Sequence, residues 1–198
     1  NEEWGAEGDR PADLTIVAGD AELARHYVEH RDRPAAVAGG DLHRTIGARP
    51  IGDRTELRAL PIDLMRVQID DGPPITGVSH VVVRSRGRSA GWWRGPVTLV
   101  MNAEFLGEWD VAARGHPNDG RVERFDLDAA TSVRQRRAIA QRLPGGRHLP
   151  HPAIRRRSGA HHTIEAARPM AVRIDGVDRG LGRLVVVTVE PDAATLYA

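Results

Sequence analysis

The residues with most to offer chemically lie where an apolar run breaks into glycine: Ala36-Val37-Ala38-Gly39-Gly40-Asp41, followed by Leu42-His43-Arg44-Thr45. Two glycines after a strand let the backbone take positive φ and approach a ligand closely, and a helix that starts there aims its first amides at any phosphate held against it. Asp41 would then hold a cation or orient the phosphate. The same residues also make a plain strand-to-helix turn with Asp41 as its cap. Asn118-Asp119-Gly120 reads as a tight turn between strands. His148-x-x-His151 has a metal-ligand spacing, but prolines flank it and no acid is near, so a solvated loop is expected. Arg155-Arg156-Arg157 suits either an anionic lipid surface or a solvated face. Trp92-Trp93 suits a lipid interface, a stacked base or an edge-strand cover for the core.

The elements that must position these residues are short. Leu14 to Ala18 and Ala35 to Ala38 read as buried strands around a helix at 21–30, which Asp20 is placed to cap. That strand, helix, strand order implies a parallel βαβ start. From about Leu57 the pattern turns to strands: 64–69, 78–84, 96–102, 121–127, 170–174 and 184–189. One helix interrupts them at 130–143, capped by Thr131 or Ser132 and stopped by Pro144-Gly145-Gly146. Residues 1–12 lack periodicity and are expected to form a flexible arm.

The chain has 198 residues, 40% hydrophobic and 28% charged, with a formal charge of +1. Cysteine is absent, which removes disulfides, thiolate nucleophiles and Cys-based zinc sites. All 28 basic residues are Arg, so no lysine can serve a phosphate loop or act as a base. A nucleic-acid partner is not expected, because 27 acids balance the arginines. No stretch is long and apolar enough to span a bilayer and no leader is visible, so a cytoplasmic protein is expected.

Gly39-Gly40-Asp41 resembles the Gly-Gly-Asp-Gly-Thr phosphate loop of the diacylglycerol kinase, sphingosine kinase and NAD kinase superfamily, with the Gly-Thr pair missing before Leu42. Residues 112–123, with Asp119 in the turn, are similar to a second stretch of that family. Pro169 to Val177 and 187–194, with Pro191, resemble its closing strands. Leu60-Pro61-Ile62-Asp63-Leu64 resembles a Val-Asp-Leu strand start, and Pro50 to Thr55 a remnant of its nucleotide loop. The resemblance implies nucleotide-phosphate binding by Gly39, Gly40 and Asp41, and Mg²⁺ in a network with Asp63 and Asp119. In active lipid kinases a Glu following the Asp-Gly pair is the candidate general base; here that position is Val177, leaving Asp175 or Asp178 as substitutes.

The fold these features imply is α/β plus β: a reduced α/β lobe at 13–58 carrying the Gly-Gly-Asp loop, then a β-rich, sandwich-like lobe at 59–198. Two functions follow. One is ATP- and Mg²⁺-dependent phosphoryl transfer to a lipid hydroxyl. The other is a relative that binds a lipid, a nucleotide or a partner without turnover, on which chemistry the missing Gly-Thr and Val177 bear. Peripheral membrane contact and a homodimer are compatible with both.

Overall fold

The computed structural model describes residues 4–86, 91–113 and 115–198. Residues 1–3 of the expected arm and Arg114 of the turn segment therefore lie outside the described residues. The rest of that arm is ordered by pairing. Strand β1 (Ala6–Asp9) lies antiparallel to β4 (Glu56–Ile69), and the Trp4 indole N–H donates to the Pro61 carbonyl at 3.0 Å. Local periodicity could not show this, because all four residues of β1 are exposed and the strand is held by backbone hydrogen bonds to an edge.

The βαβ start is present. Strands β2 (Thr15–Val17) and β3 (Ala35–Val37) are parallel and joined by helix α1 (Asp20–Glu29). Leu23, Ala24 and Tyr27 share the face of α1 that is buried with Ala35 and Val37. Gly40 then caps a five-residue helix α2 (Asp41–Thr45).

The remaining strands are β5 (Ile75–Gly77), β6 (His80–Arg84), β7 (Val97–Met101), β8 (Phe105–Leu106), β9 (Trp109–Asp110), β10 (Val122–Leu127), β11 (Ile154–Gly159), β12 (His161–Ile174) and β13 (Val177–Tyr197). Helix α3 (Val133–Arg142) precedes β11 and continues into a 3-10 turn at Leu143–Gly145. Ser132 caps α3 in a capping box with Gln135, one of the two caps the sequence offered.

Among the described residues the architecture is mostly β, with three short helices and one large, mainly antiparallel sheet. Its path runs β1-β4-β13-β12-β6-β7-β10-β11, with β5 beside β4 and with β3 added parallel to the end of β13. Met65 and Val67 of β4 share a core with Val100 of β7 and Val122 of β10, far along that path. The sheet therefore curls over its own apolar face. A second core lies under α1, and a third lies between α3 and the far end of the sheet.

Two strands run well beyond their expected bounds. β4 continues through Pro61, and β13 through Pro191, where the sequence signals a stop. A register shift between Glu190 and Ala194 absorbs Pro191 in a bulge, whereas Pro61 pairs with Thr195 in regular register. The arginine triplet lies in β11, an edge strand on β10, with its side chains exposed and Arg156 meeting Glu123 at 2.7 Å. No helix among the described residues is long and apolar enough to cross a membrane.

Candidate functional site

Both parallel strands end in the same way, with glycine and then aspartate: Ala18-Gly19-Asp20 after β2 and Ala38-Gly39-Gly40-Asp41 after β3. Parallel neighbours deliver these two turns side by side. Asp20 does not cap its own helix, as the sequence suggests; Gly19 is the α1 cap and the Asp20 side chain crosses to the next turn. Its Oδ2 accepts the Asp41 backbone N–H at 2.8 Å, and its Oδ1 lies 3.3 Å from the Leu42 nitrogen. Gly40 sits at φ 97°, and a Cβ there would stand 2.5 Å from Asp20 Oδ1. The second glycine is thus required by an internal carboxylate pressed against the loop. Burial, then the Asp175 carboxylate, pushes the Asp20 carboxyl up to about 6.

Asp41 faces the other way. Its Oδ1 accepts the Gly107 N–H at 2.7 Å, and its Oδ2 lies 3.1 Å from His80 Nδ1. Thr45 and Arg44 pin α2 to the same segment, through Glu104 N–H to Thr45 Oγ1 and Arg44 Nη1 to the Gly107 carbonyl. His80 opens β6 and is buried. Among the described residues, Asp20, Asp41 and His80 form the one group of three whose donor atoms lie within 4.8 Å of each other.

Asp175 occupies the two-residue β12–β13 turn at φ 48°, with Gly176 at 78°, the left-handed pair of a tight hairpin. Its carboxylate is heavily used, with three donors on Oδ1 and one on Oδ2. It accepts N–H groups from Val78, Ser79 and His80, and the Ser79 hydroxyl, all between 2.8 and 3.0 Å. The structure brings this weak catalytic candidate to the same depression as Gly40, Asp41 and His80. Its four donors make it the anchor that holds Ser79 and His80 in place.

Asp63 and Asp119 belong to a different cluster. Asp63 is buried; Oδ2 accepts the Gly120 N–H at 2.7 Å and Oδ1 the Asp192 N–H at 2.9 Å, tying the Asn118-Asp119-Gly120 turn to the β13 bulge. Asp119 Oδ1 accepts the Arg121 N–H, and burial raises its carboxyl. Asn102 links this cluster to the first, since its side-chain amide donates to the carbonyls of Asp63 and Val78. Val177, where the resemblance places an acid, is a partly exposed residue at the start of β13.

A third feature lies under α3. Trp92, Leu99, Trp109, Phe125, Ile139 and Leu143 are among the walls of an apolar cavity of about 260 Å³. His148 lines it, buried against Phe125, so the solvated loop expected for His148-x-x-His151 is corrected. His151 lies in the following turn, where its Nδ1 accepts the Ala153 N–H.

Of the site residues, Asp20 is read from the sequence only as a helix cap, and Ser79 and His80 are absent from that reading. The repeat of a small residue, glycine and aspartate at 18–20 and 38–41 is a signal for Asp20. A lone His at the head of an apolar strand gives none.

The fold is shared with kinases of the diacylglycerol class. Three solved structures of proteins from Bacillus anthracis str. Sterne that carry a diacylglycerol kinase assignment are similar to this chain. Two match with TM-score 0.67 at 13% and 14% identity, over 93% of this chain and 77% of theirs. The third matches with TM-score 0.58 at 15% identity, over 93% of this chain and 75% of its own. No family model matches the sequence, and no curated protein matches it.

The groups such a fold implies can be tested against these residues. Nucleotide phosphates fit poorly. The leading α2 amides already serve Asp20, and the depression is lined by Asp20, Glu22, Asp41 and Asp175 with no Arg. A divalent cation fits better, although two carboxylates and one imidazole suit a borderline transition metal more than Mg²⁺, which takes oxygen ligands.

Proposed function

We propose that this chain is a diacylglycerol-kinase-like protein that binds an apolar ligand and does not transfer phosphate. The observation that carries the reading is the Asp20 carboxylate on the Asp41 and Leu42 amides. It places a fixed negative charge where Gly39, Gly40 and Asp41 would otherwise receive nucleotide phosphate, so ATP meets like charge and filled donors. Two further features support it. Asp175 spends its carboxylate on four internal donors, and Val177 cannot take a proton. Asp63 and Asp119 then act in structure, holding a turn and a bulge, with no Mg²⁺ between them.

Calorimetric titration with ATP and Mg²⁺ to millimolar concentration tests this. No heat and no thermal shift are expected; saturable binding with ADP release in the presence of a lipid alcohol overturns the reading.

A second reading is favoured by Asp20, Asp41 and His80 converging on one point. Here the depression holds a transition-metal cation, whose charge offsets the crowded carboxylates. The protein then senses or stores that cation at the old phosphate loop. Titration with Zn²⁺ or Mn²⁺ separates the two readings.

A further inference from the structure

The cavity under α3 combines apolar walls with two polar side chains of one kind. Trp92 and Trp109 meet edge to face at 5.1 Å on one side, and Ile139 and Leu143 close it from the helix. Arg136 and His148 complete the wall. Both are nitrogen groups, and no acid is among the wall residues, although the Asp110 carboxylate acts on His148 from beyond the wall.

Arg136 is buried in the first turn of α3. Nε donates to the Thr131 carbonyl, Nη1 to Trp92, and Nη2 to Gly95 and Asp128. Four of its five N–H groups are thereby used on neutral carbonyls. No carboxylate stands within ion-pair distance of it among the described residues; Asp128 acts on it only from farther away. His148 is 3% exposed, and its Nδ1 has no hydrogen-bond partner among the described residues. Native proteins seldom leave such an atom orphaned. A buried positive charge without its counter-ion makes the Arg136 end of this apolar wall a place for an anion, while His148, kept neutral by burial, offers a free ring nitrogen beside it.

Resting on the apolar-ligand reading above, we infer that this cavity binds a single-chain carboxylate of medium length, its carboxylate directed to Arg136. The volume sets the length. At about 30 Å³ per water-sized group, 260 Å³ holds roughly nine groups, the bulk of an eight- to ten-carbon acid. A lipid with two long acyl chains exceeds it several-fold.

Decanoate titrated calorimetrically into the whole chain tests the inference, with decanol, palmitate and vesicles containing diacylglycerol as comparisons. Decanoate is expected to bind in the micromolar range, at least ten times tighter than decanol, and to change tryptophan fluorescence. Arg136→Met should abolish the preference over decanol. Since Arg136 also holds four carbonyls, Ala140→Phe, which fills the cavity from α3 without touching them, provides a second variant. It should weaken decanoate at least tenfold while leaving the fold intact by circular dichroism. Equal affinity for decanol and decanoate, or unchanged binding in Ala140→Phe, overturns the inference. Binding of diacylglycerol vesicles without decanoate overturns it too, while leaving the apolar-ligand reading standing.

Discussion

Asp20 and Asp41 are separated by 21 residues, yet the carboxylate of the first accepts the backbone N–H of the second at 2.8 Å. Each follows glycine at the end of a parallel strand, so the sheet itself imposes the contact. An intramolecular carboxylate at a helix start fills the position that an external anion uses elsewhere. This relationship decides the function proposed for the loop, and it can be perturbed one atom at a time.

Asp20→Asn keeps one acceptor oxygen and removes the charge. The folded carboxyl, at about 6, titrates above its ordinary 3.8, so the folded state holds the proton more tightly and the wild type loses stability as pH rises from about 4 to 6. Relative to wild type, Asp20→Asn should become more stable across that window, by up to about 3 kcal/mol. Denaturant melts at pH 4, 5, 6 and 7 measure it; a constant difference would mean that Asp20 is not perturbed.

His148 titrates in the opposite sense. Burial lowers it from 6.5, so it is neutral in the folded protein and must charge on unfolding in acid. Its contribution is present at high pH and is lost as pH falls below 6.5. His148→Leu should flatten the decline in melting temperature between pH 6.5 and 5, while His162, also lowered by burial, retains its share.

Removing the buried Asp63 carboxylate breaks two part-buried hydrogen bonds, those donated by the Gly120 and Asp192 N–H groups. Asp63→Ala should cost about 3 kcal/mol, or roughly 6 to 12 °C in melting temperature. Added Mg²⁺ should not shift the wild-type melt if the role is structural; a saturable Mg²⁺ shift abolished by Asp63→Ala would restore the metal network.

The cation reading of the Asp20, Asp41 and His80 group predicts Zn²⁺ binding that His80→Gln weakens at least tenfold, since imidazole is its one nitrogen ligand. Raising the pH from 5 to 7 should tighten it, as Asp20 loses its proton in that range. Unaltered affinity in His80→Gln removes that histidine from the site.

Much of the framework was legible because it is local. β2, α1 and β3 follow from two apolar runs around an amphipathic helix, and Thr131 or Ser132 marks the start of α3. What escaped was set by distant partners. β1 has no buried residue of its own and exists because β4 offers an edge. Pro191 reads as a strand end until the β13 bulge is known. At the site, Asp41 was legible from its glycines, whereas His80 gains meaning only because Asp175, 95 residues away, holds its backbone N–H at 3.0 Å. The acceptor capacity of Asp175, too, is invisible until its four donors are counted.

Strand β13 pairs with β4 and β12 along its 21 residues and takes β3 in parallel at its end. The glycine-rich turns and the curled sheet consequently share a spine, and neither can come apart without breaking rungs of the same ladder. Heat or denaturant should dissolve them in one cooperative step, with amides of β13 the last to exchange with deuterium. A ligand that tightens either end would then be felt as slower exchange at the other.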